Sequence, residues 1–155
     1  MTNNDILRRL RYALDISNAA MVEIFKQADH GIEQAGIIAL LKKEEEEGYV
    51  ACSDEVMGYF LDGLINHKRG RQELAPGEAR KSESPLTNNT ILKKLRIALE
   101  LKEDDMLGIL KLAEIAVSKA ELSAFFRKEG QKNYKECGDQ FLRNFLKGLT
   151  LRYRK

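Results

Sequence analysis

The chain has 155 residues, 43% of them hydrophobic and 32% charged, which fits one globular domain or two very small ones. Its apolar runs last only a few residues, which excludes a membrane-spanning helix, and the polar, then basic stretch from Met1 to Arg11 offers no signal-peptide core. Two cysteines and a net charge of +2 are not the composition of a disulfide-built secreted scaffold, so a cytoplasmic protein with no membrane partner is expected.

Segments between turn signals carry apolar residues at helical spacing, and none alternates as a half-buried strand does. The fold class is therefore all-α. A first helix is expected from about Asn4 to Asp15, with Asn3 or Asn4 as N-cap and Asp5 at the positive end of the helix dipole. Its apolar stripe is Ile6, Leu7, Leu10, Ala13 and Leu14, and Arg8, Arg9 and Arg11 fall outside that stripe. A second helix starts at Ser17 or Asn18, turns Met21, Val22, Ile24, Phe25 and Ala28 inward, and is broken by Gly31. The third starts near Glu33 and buries Ile37, Ile38, Leu40 and Leu41. Its solvated last turns are expected to be Lys42-Lys43-Glu44-Glu45-Glu46-Glu47. Glutamates in sequence on a helix point about 100° apart and do not converge on one cation. The fourth follows Cys52-Ser53-Asp54 and runs to about Arg69, with Val56, Met57, Phe60, Leu61, Leu64 and Ile65 as its core face. Gly63 inside it costs roughly 1 kcal/mol against Ala, which a close helix crossing would explain.

Residues 71–85, with Pro76-Gly77, Ser82, Ser84 and Pro85, read as a linker. Beyond them the chain starts again. LTNNTILKKLRIAL from Leu86 restates MTNNDILRRLRYAL from Met1 at an offset of 85 positions, and about 25 of the 70 pairs up to Gly70/Lys155 are identical. That is far above the roughly one in twenty expected by chance. Two pseudo-symmetric repeats, 1–70 and 86–155, of four helices each follow, eight helices in all. In the second, Asn88 or Asn89 caps the first helix, Ser118 and Glu121 form a capping box for the third, and Asp139 and Gly148 repeat Asp54 and Gly63. The first repeat has 8 Lys/Arg against 12 Asp/Glu and the second 15 against 9. An acidic unit joined to a basic one can pair within the chain or between chains, so a homo-oligomer is among the expectations.

Catalytic chemistry has little to start from. Cys52 and Cys137 each precede a fourth helix, but His30 and His67 have Ile115 and Arg152 at their equivalent positions. No Cys/His pair is therefore duplicated, and no metal-ligand set is formed. Buried apolar cysteines and helix-starting aspartates are the structural readings of Cys52, Cys137, Asp54 and Asp139. No catalytic, metal or cofactor residue is expected. The basic residues are the candidates for contact with a phosphate or a partner: Arg8, Arg9, Arg11, Lys93, Lys94 and Arg96 on the first helices, with Lys119, Arg127 and Lys128. Residues 104–128 also outline a helix-turn-helix, with Lys119 and Ser123 facing DNA.

The duplicated TNN-x-IL-x-x-LR-x-AL, the Lys-Glu near the end of the third helix, Cys-x-Asp and Phe-Leu-x-Gly-Leu resemble the YehS-like family. These are small bacterial proteins made of two copies of a domain of unknown function. The resemblance covers Thr2-Asn3-Asn4, Cys52, Asp54 and Phe60 to Leu64 and their counterparts Thr87-Asn88-Asn89, Cys137, Asp139 and Phe145 to Leu149. It implies a bacterial cytoplasmic protein and brings no catalytic residue with it. The expected function is a non-enzymatic helical interaction or regulatory module with a protein partner. The alternative is a nucleic-acid-binding regulator that uses the basic second repeat.

Overall fold

The computed structural model describes residues 1–70 and 86–154; the expected linker 71–85 and the terminal Lys155 lie outside the described residues. Within them the chain is all-helical, as α1 Asn3–Ala13, α2 Asn18–Lys26, α3 Gln34–Leu41, α4 Asp54–Arg69, α5 Asn88–Ala98, α6 Glu103–Leu112, α7 Lys119–Ala124 and α8 Asp139–Tyr153. By compactness it divides into Met1–Arg8 with Ile16–Leu86, and Arg9–Asp15 with Thr87–Lys155.

Five of the described helices start where a serine or threonine takes up a free backbone N–H. Ser17, Ser53, Thr87 and Ser118 accept from Ala20, Val56, Thr90 and Glu121. Ser118 and Glu121 form the expected capping box, Glu121 Oε1 accepting from the Ser118 N–H at 3.2 Å. At α1 the cap is Thr2, not Asn3 or Asn4: Thr2 Oγ1 accepts from the Asp5 N–H and Asp5 accepts from the Thr2 N–H. In the second repeat Thr87 likewise displaces the asparagines. Stops are shared too. Asp15 and Glu100 follow α1 and α5 with φ of 51° and 54°, and Asp29 and Glu114 follow α2 and α6 with φ of 58° and 63°. The two repeats thus leave their helices by the same left-handed step.

Two expectations for the third helix fail. Glu44 to Glu47 are not its last turns, because α3 ends at Leu41 and Lys42 is already extended, with ψ 156°. Two tight turns follow, in which Glu46 Oε1 accepts from the Lys43 N–H, Lys42 Nζ donates to the Glu47 carbonyl, and Val50 N–H returns to the Ala39 carbonyl. Its counterpart α7 is only six residues long, and the run from Phe125 to Lys128 leaves the helix in the same way. Lys128 N–H donates to Gln131 Oε1 and Lys135 N–H to the Ala124 carbonyl. Side-chain competition for backbone groups explains why helical periodicity overran the end. Ile38, expected inside, is 46% exposed.

In the first repeat α2 packs on α3 and α4; in the second α6 packs on α7 and α8, with α5 also against α8. Met21, Ile24, Phe25, Met57, Phe60, Leu61 and Leu64 fill one core, and Met106, Ile109, Leu110, Leu142, Phe145, Leu146 and Leu149 the other. The helix crossings are fixed by glycine. A Cβ on Gly63 would stand 1.9 Å from the Ile24 carbonyl oxygen, and one on Gly148 2.2 Å from that of Ile109. Only a hydrogen fits, and in each case the obstacle is backbone. Gly58 and Gly108, in the same packed helices, have nothing within 4 Å of such a Cβ. Gly63→Ala and Gly148→Ala should each therefore cost about 2–4 kcal/mol in urea unfolding. Gly58→Ala and Gly108→Ala should be neutral or gain up to about 1 kcal/mol.

Candidate functional site

The asparagines, cysteines and aspartates that the two repeats share converge on one place in each, the junction between the start of the first helix and the segment before the fourth. Asn4 is buried. Its Nδ2 donates to the Leu40 and Val50 carbonyls, both at 2.9 Å, and its Oδ1 accepts from the Cys52 N–H at 2.9 Å and the Tyr49 hydroxyl at 3.1 Å. Asn89 repeats this with the Phe125 and Lys135 carbonyls at 3.0 and 2.8 Å and the Cys137 N–H at 2.8 Å. The neighbouring asparagine closes the far side. Asn3 Nδ2 donates to the Cys52 carbonyl and to Asp54 Oδ1, and Asn88 Nδ2 to the Cys137 carbonyl and Asp139 Oδ1, with the same distances of 3.1 and 2.8 Å. Each Asn-Asn pair therefore holds a segment 36 to 51 residues away in sequence.

This geometry gives Asp54, Asp139, Cys52 and Cys137 their surroundings. Asp139 is held below the ordinary carboxylate range, chiefly by the Asn88 hydrogen bond. Both thiols are buried and unbridged, and burial first, then the neighbouring aspartate, pushes each up to about 12. A thiol in that state is a poor nucleophile at neutral pH. Among the described residues no group of three or more His, Cys, Asp or Glu is placed to hold a metal ion.

Some of the basic candidates turn back onto their own fold and others are exposed. Arg8 was expected on the solvent side; instead it is half-buried, donating from Nη1 to the Lys42 carbonyl at 2.8 Å and from Nη2 to Asp5. It lines a cavity of about 260 Å³ with Thr2, Asn4, Asp5, Lys43, Glu44, Glu45 and Tyr49. Arg96 also turns inward, its Nε donating to the Leu101 carbonyl at 3.1 Å and its guanidinium lying 4.7 Å from the Phe126 ring centre. The Nε of Arg11 is buried. Arg8 and Arg96 bind their own fold because each sits where a following loop brings a carbonyl or an aromatic face against the helix. Lys94 is half-buried, whereas Arg9 and Lys93 are exposed. Lys119 is exposed, 3.9 Å from Asp104. Arg127 donates to the Lys132 carbonyl, and Lys128 is exposed. In the helix-turn-helix outline six residues separate α6 from α7, and the short α7 carries Lys119 and Ser123 four residues apart, on one exposed face.

Sequence reasoning missed the asparagines. It read them as caps, the commonest role for such residues, although their identity in both repeats beside Cys-x-Asp was visible.

The model of the family described as "Protein of unknown function (DUF1456)" matches twice, over residues 3–70 and 88–155. The matches begin at Asn3 and Asn88, the clamp residues themselves. The chain is also 47% identical over 152 residues to the "Uncharacterized protein YehS" of Escherichia coli strain K12, covering 98% of this chain and 96% of that protein. The chain belongs to this family. No solved structure matches it. Among the described residues no helix is long and apolar enough to cross a membrane.

Replacing Asn4 or Asn89 with Asp removes two donors to buried carbonyls and introduces a buried charge, so each should cost about 3 kcal/mol in urea unfolding. The thiols give a pH signature. Because the folded pKa lies above that of the unfolded chain, the native state keeps its protons after the unfolded state has lost them. Stability should therefore fall as pH rises from about 9 toward 12, and Cys52→Ala with Cys137→Ala should make that fall shallower. At pH 8 Ellman's reagent should titrate no thiol in the native protein and two in denaturant.

Proposed function

We propose that the chain is a non-enzymatic interaction module of a bacterial cytoplasm, in which one clamped four-helix framework is used twice to present two unlike faces. The observation that carries this reading is a division of labour between positions. Of the residues identical in the repeats, Asn4/Asn89, Cys52/Cys137 and Gly63/Gly148 lie inside and bind backbone or core. The exposed Ile38 of α3 and the exposed Glu47 and Val50 of the α3–α4 connection have diverged to Ser123, Lys132 and Lys135. A duplicated catalytic site would be expected to keep reactive side chains at its mouth; here the buried polar groups that the repeats share are consumed by the framework. Affinity capture from a bacterial lysate should retrieve proteins with the wild-type chain and lose them with Ile38→Glu/Val50→Glu. Equal capture by both, together with turnover of metabolites by the purified protein, would contradict the reading.

A second reading, nucleic-acid binding by the second repeat, is favoured by one observation. Lys93, Lys119, Lys128, Lys132 and Lys135 are all exposed there. Neutralising three to five phosphates would weaken binding about 40- to 500-fold between 50 and 200 mM salt. Fluorescence anisotropy on random duplex and single strands checks this, with Lys93→Glu/Lys128→Glu lowering affinity for every sequence. Binding that is absent at low salt dismisses the reading.

A further inference from the structure

Because the repeats share one framework, a residue that is apolar and exposed in one and polar in the other marks a surface that only one repeat carries. The first repeat has such a surface at Ile38 and Val50, 46% and 51% exposed. The hydrogen bond from Val50 N–H to the Ala39 carbonyl sets them on neighbouring backbone. Exposed Glu44 to Glu47 form the turns that lead into Val50. In the second repeat the corresponding residues are Ser123, Lys135 and Glu129-Gly130-Gln131-Lys132.

The second repeat has its own surface elsewhere. Leu112, at the end of α6, and Leu151, in the last turns of α8, are 48% and 47% exposed. Their counterparts are Gln27 and Asn66, which the first repeat joins by a hydrogen bond from Asn66 Nδ2 to the Gln27 carbonyl at 2.9 Å. The shared framework therefore sets Leu112 and Leu151 side by side where the first repeat has a polar pair. Exposed Lys111 adjoins Leu112. Lys147, also exposed, lies one turn before Leu151 on the same side of α8, where the first repeat has Asp62.

One repeat thus shows an apolar pair beside carboxylates, the other an apolar pair beside ammonium groups. We propose that these two faces dock on each other between copies of the chain, the Ile38–Val50 face of one on the Leu112–Leu151 face of the next. The inference rests on the interaction-module reading and names the partner as a second copy. Single exposed apolar side chains are ordinary on any surface. These pairs differ from that background because the same framework is built without them in the other repeat, so folding does not require them. Burial of the pairs supplies attraction without direction. The charges supply the pairing rule: with 8 Lys/Arg against 12 Asp/Glu in one repeat and 15 against 9 in the other, unlike repeats attract and like repeats repel.

Sedimentation velocity of the full chain, from about 5 to about 500 μM and at low and high salt, reads the outcome. The mass should rise with concentration, and less so at high salt. Ile38→Glu alone and Leu151→Glu alone should each weaken association at least tenfold, since each removes one of the two faces every contact needs. Mixed in equal amounts, the two variants should form a one-to-one complex, the intact Leu151 face of the first meeting the intact Ile38 face of the second. Val50→Glu and Leu112→Glu give the same test if either variant fails to show wild-type circular dichroism. A chain that stays monomeric, association unmoved by these changes, or a mixture that does not associate overturns the proposal. A monomeric chain whose Ile38→Glu/Val50→Glu variant still loses captured proteins would overturn this docking while leaving the interaction reading intact.

Discussion

A primary carboxamide buried beside a helix start must place two N–H groups and an oxygen, and in each repeat it does so on the backbone of a distant segment. Asn4 reaches Leu40, Val50 and Cys52, and Asn89 reaches Phe125, Lys135 and Cys137. The segment before the fourth helix is extended, and its carbonyls and amides have no helix or sheet to satisfy them. A hydrophobic side chain at position 4 or 89 would leave those groups orphaned at about 1–3 kcal/mol each. The asparagine is thus what lets a non-helical segment pack against an all-helical unit, and the fourth helix starts where that segment is held.

The rest follows in sequence. Asn3 and Asn88 bind the aspartate that opens α4 or α8, which fixes where the helix begins. From that start, Gly63 and Gly148 fall at the crossing with α2 and α6, where any side chain would collide with a carbonyl. Cys52 and Cys137 donate their amides to the clamp, and their thiols are buried by the same closure. The features that look most like chemistry in the sequence, a duplicated Cys-x-Asp beside a duplicated Asn-Asn, are accounted for by one piece of backbone satisfaction.

Most of the helices and core were legible, because amphipathic spacing and strong caps such as Ser118 with Glu121 are local signals. The crossing role of Gly63 could be guessed since a glycine inside a strong helix needs a reason. Misread positions share one cause: the deciding contact is remote in sequence or made by a side chain to backbone. Thr2 outcompetes Asn3 as a cap because Asn3 and Asn4 have partners about fifty residues away. Glu46 ends α3 by binding the Lys43 amide, which helical periodicity through Glu44–Glu47 cannot report. Arg8 and Arg96 look like a solvated basic stripe, yet they turn back onto loops whose paths only the fold reveals. The surfaces were legible only as a difference between repeats, since the duplication supplies an internal control for what the framework requires.

Native-state hydrogen exchange followed by NMR addresses the clamp most directly, through the amides of Cys52 and Cys137 and their neighbours. Both amides lie outside any helix, and segments of that kind ordinarily exchange by local opening. If each asparagine clamp holds its own unit closed, these two amides exchange only through global unfolding, as slowly as those of Phe60 and Phe145. Exchange at the rate of the exposed turns at Glu45 and Gln131 would contradict the account.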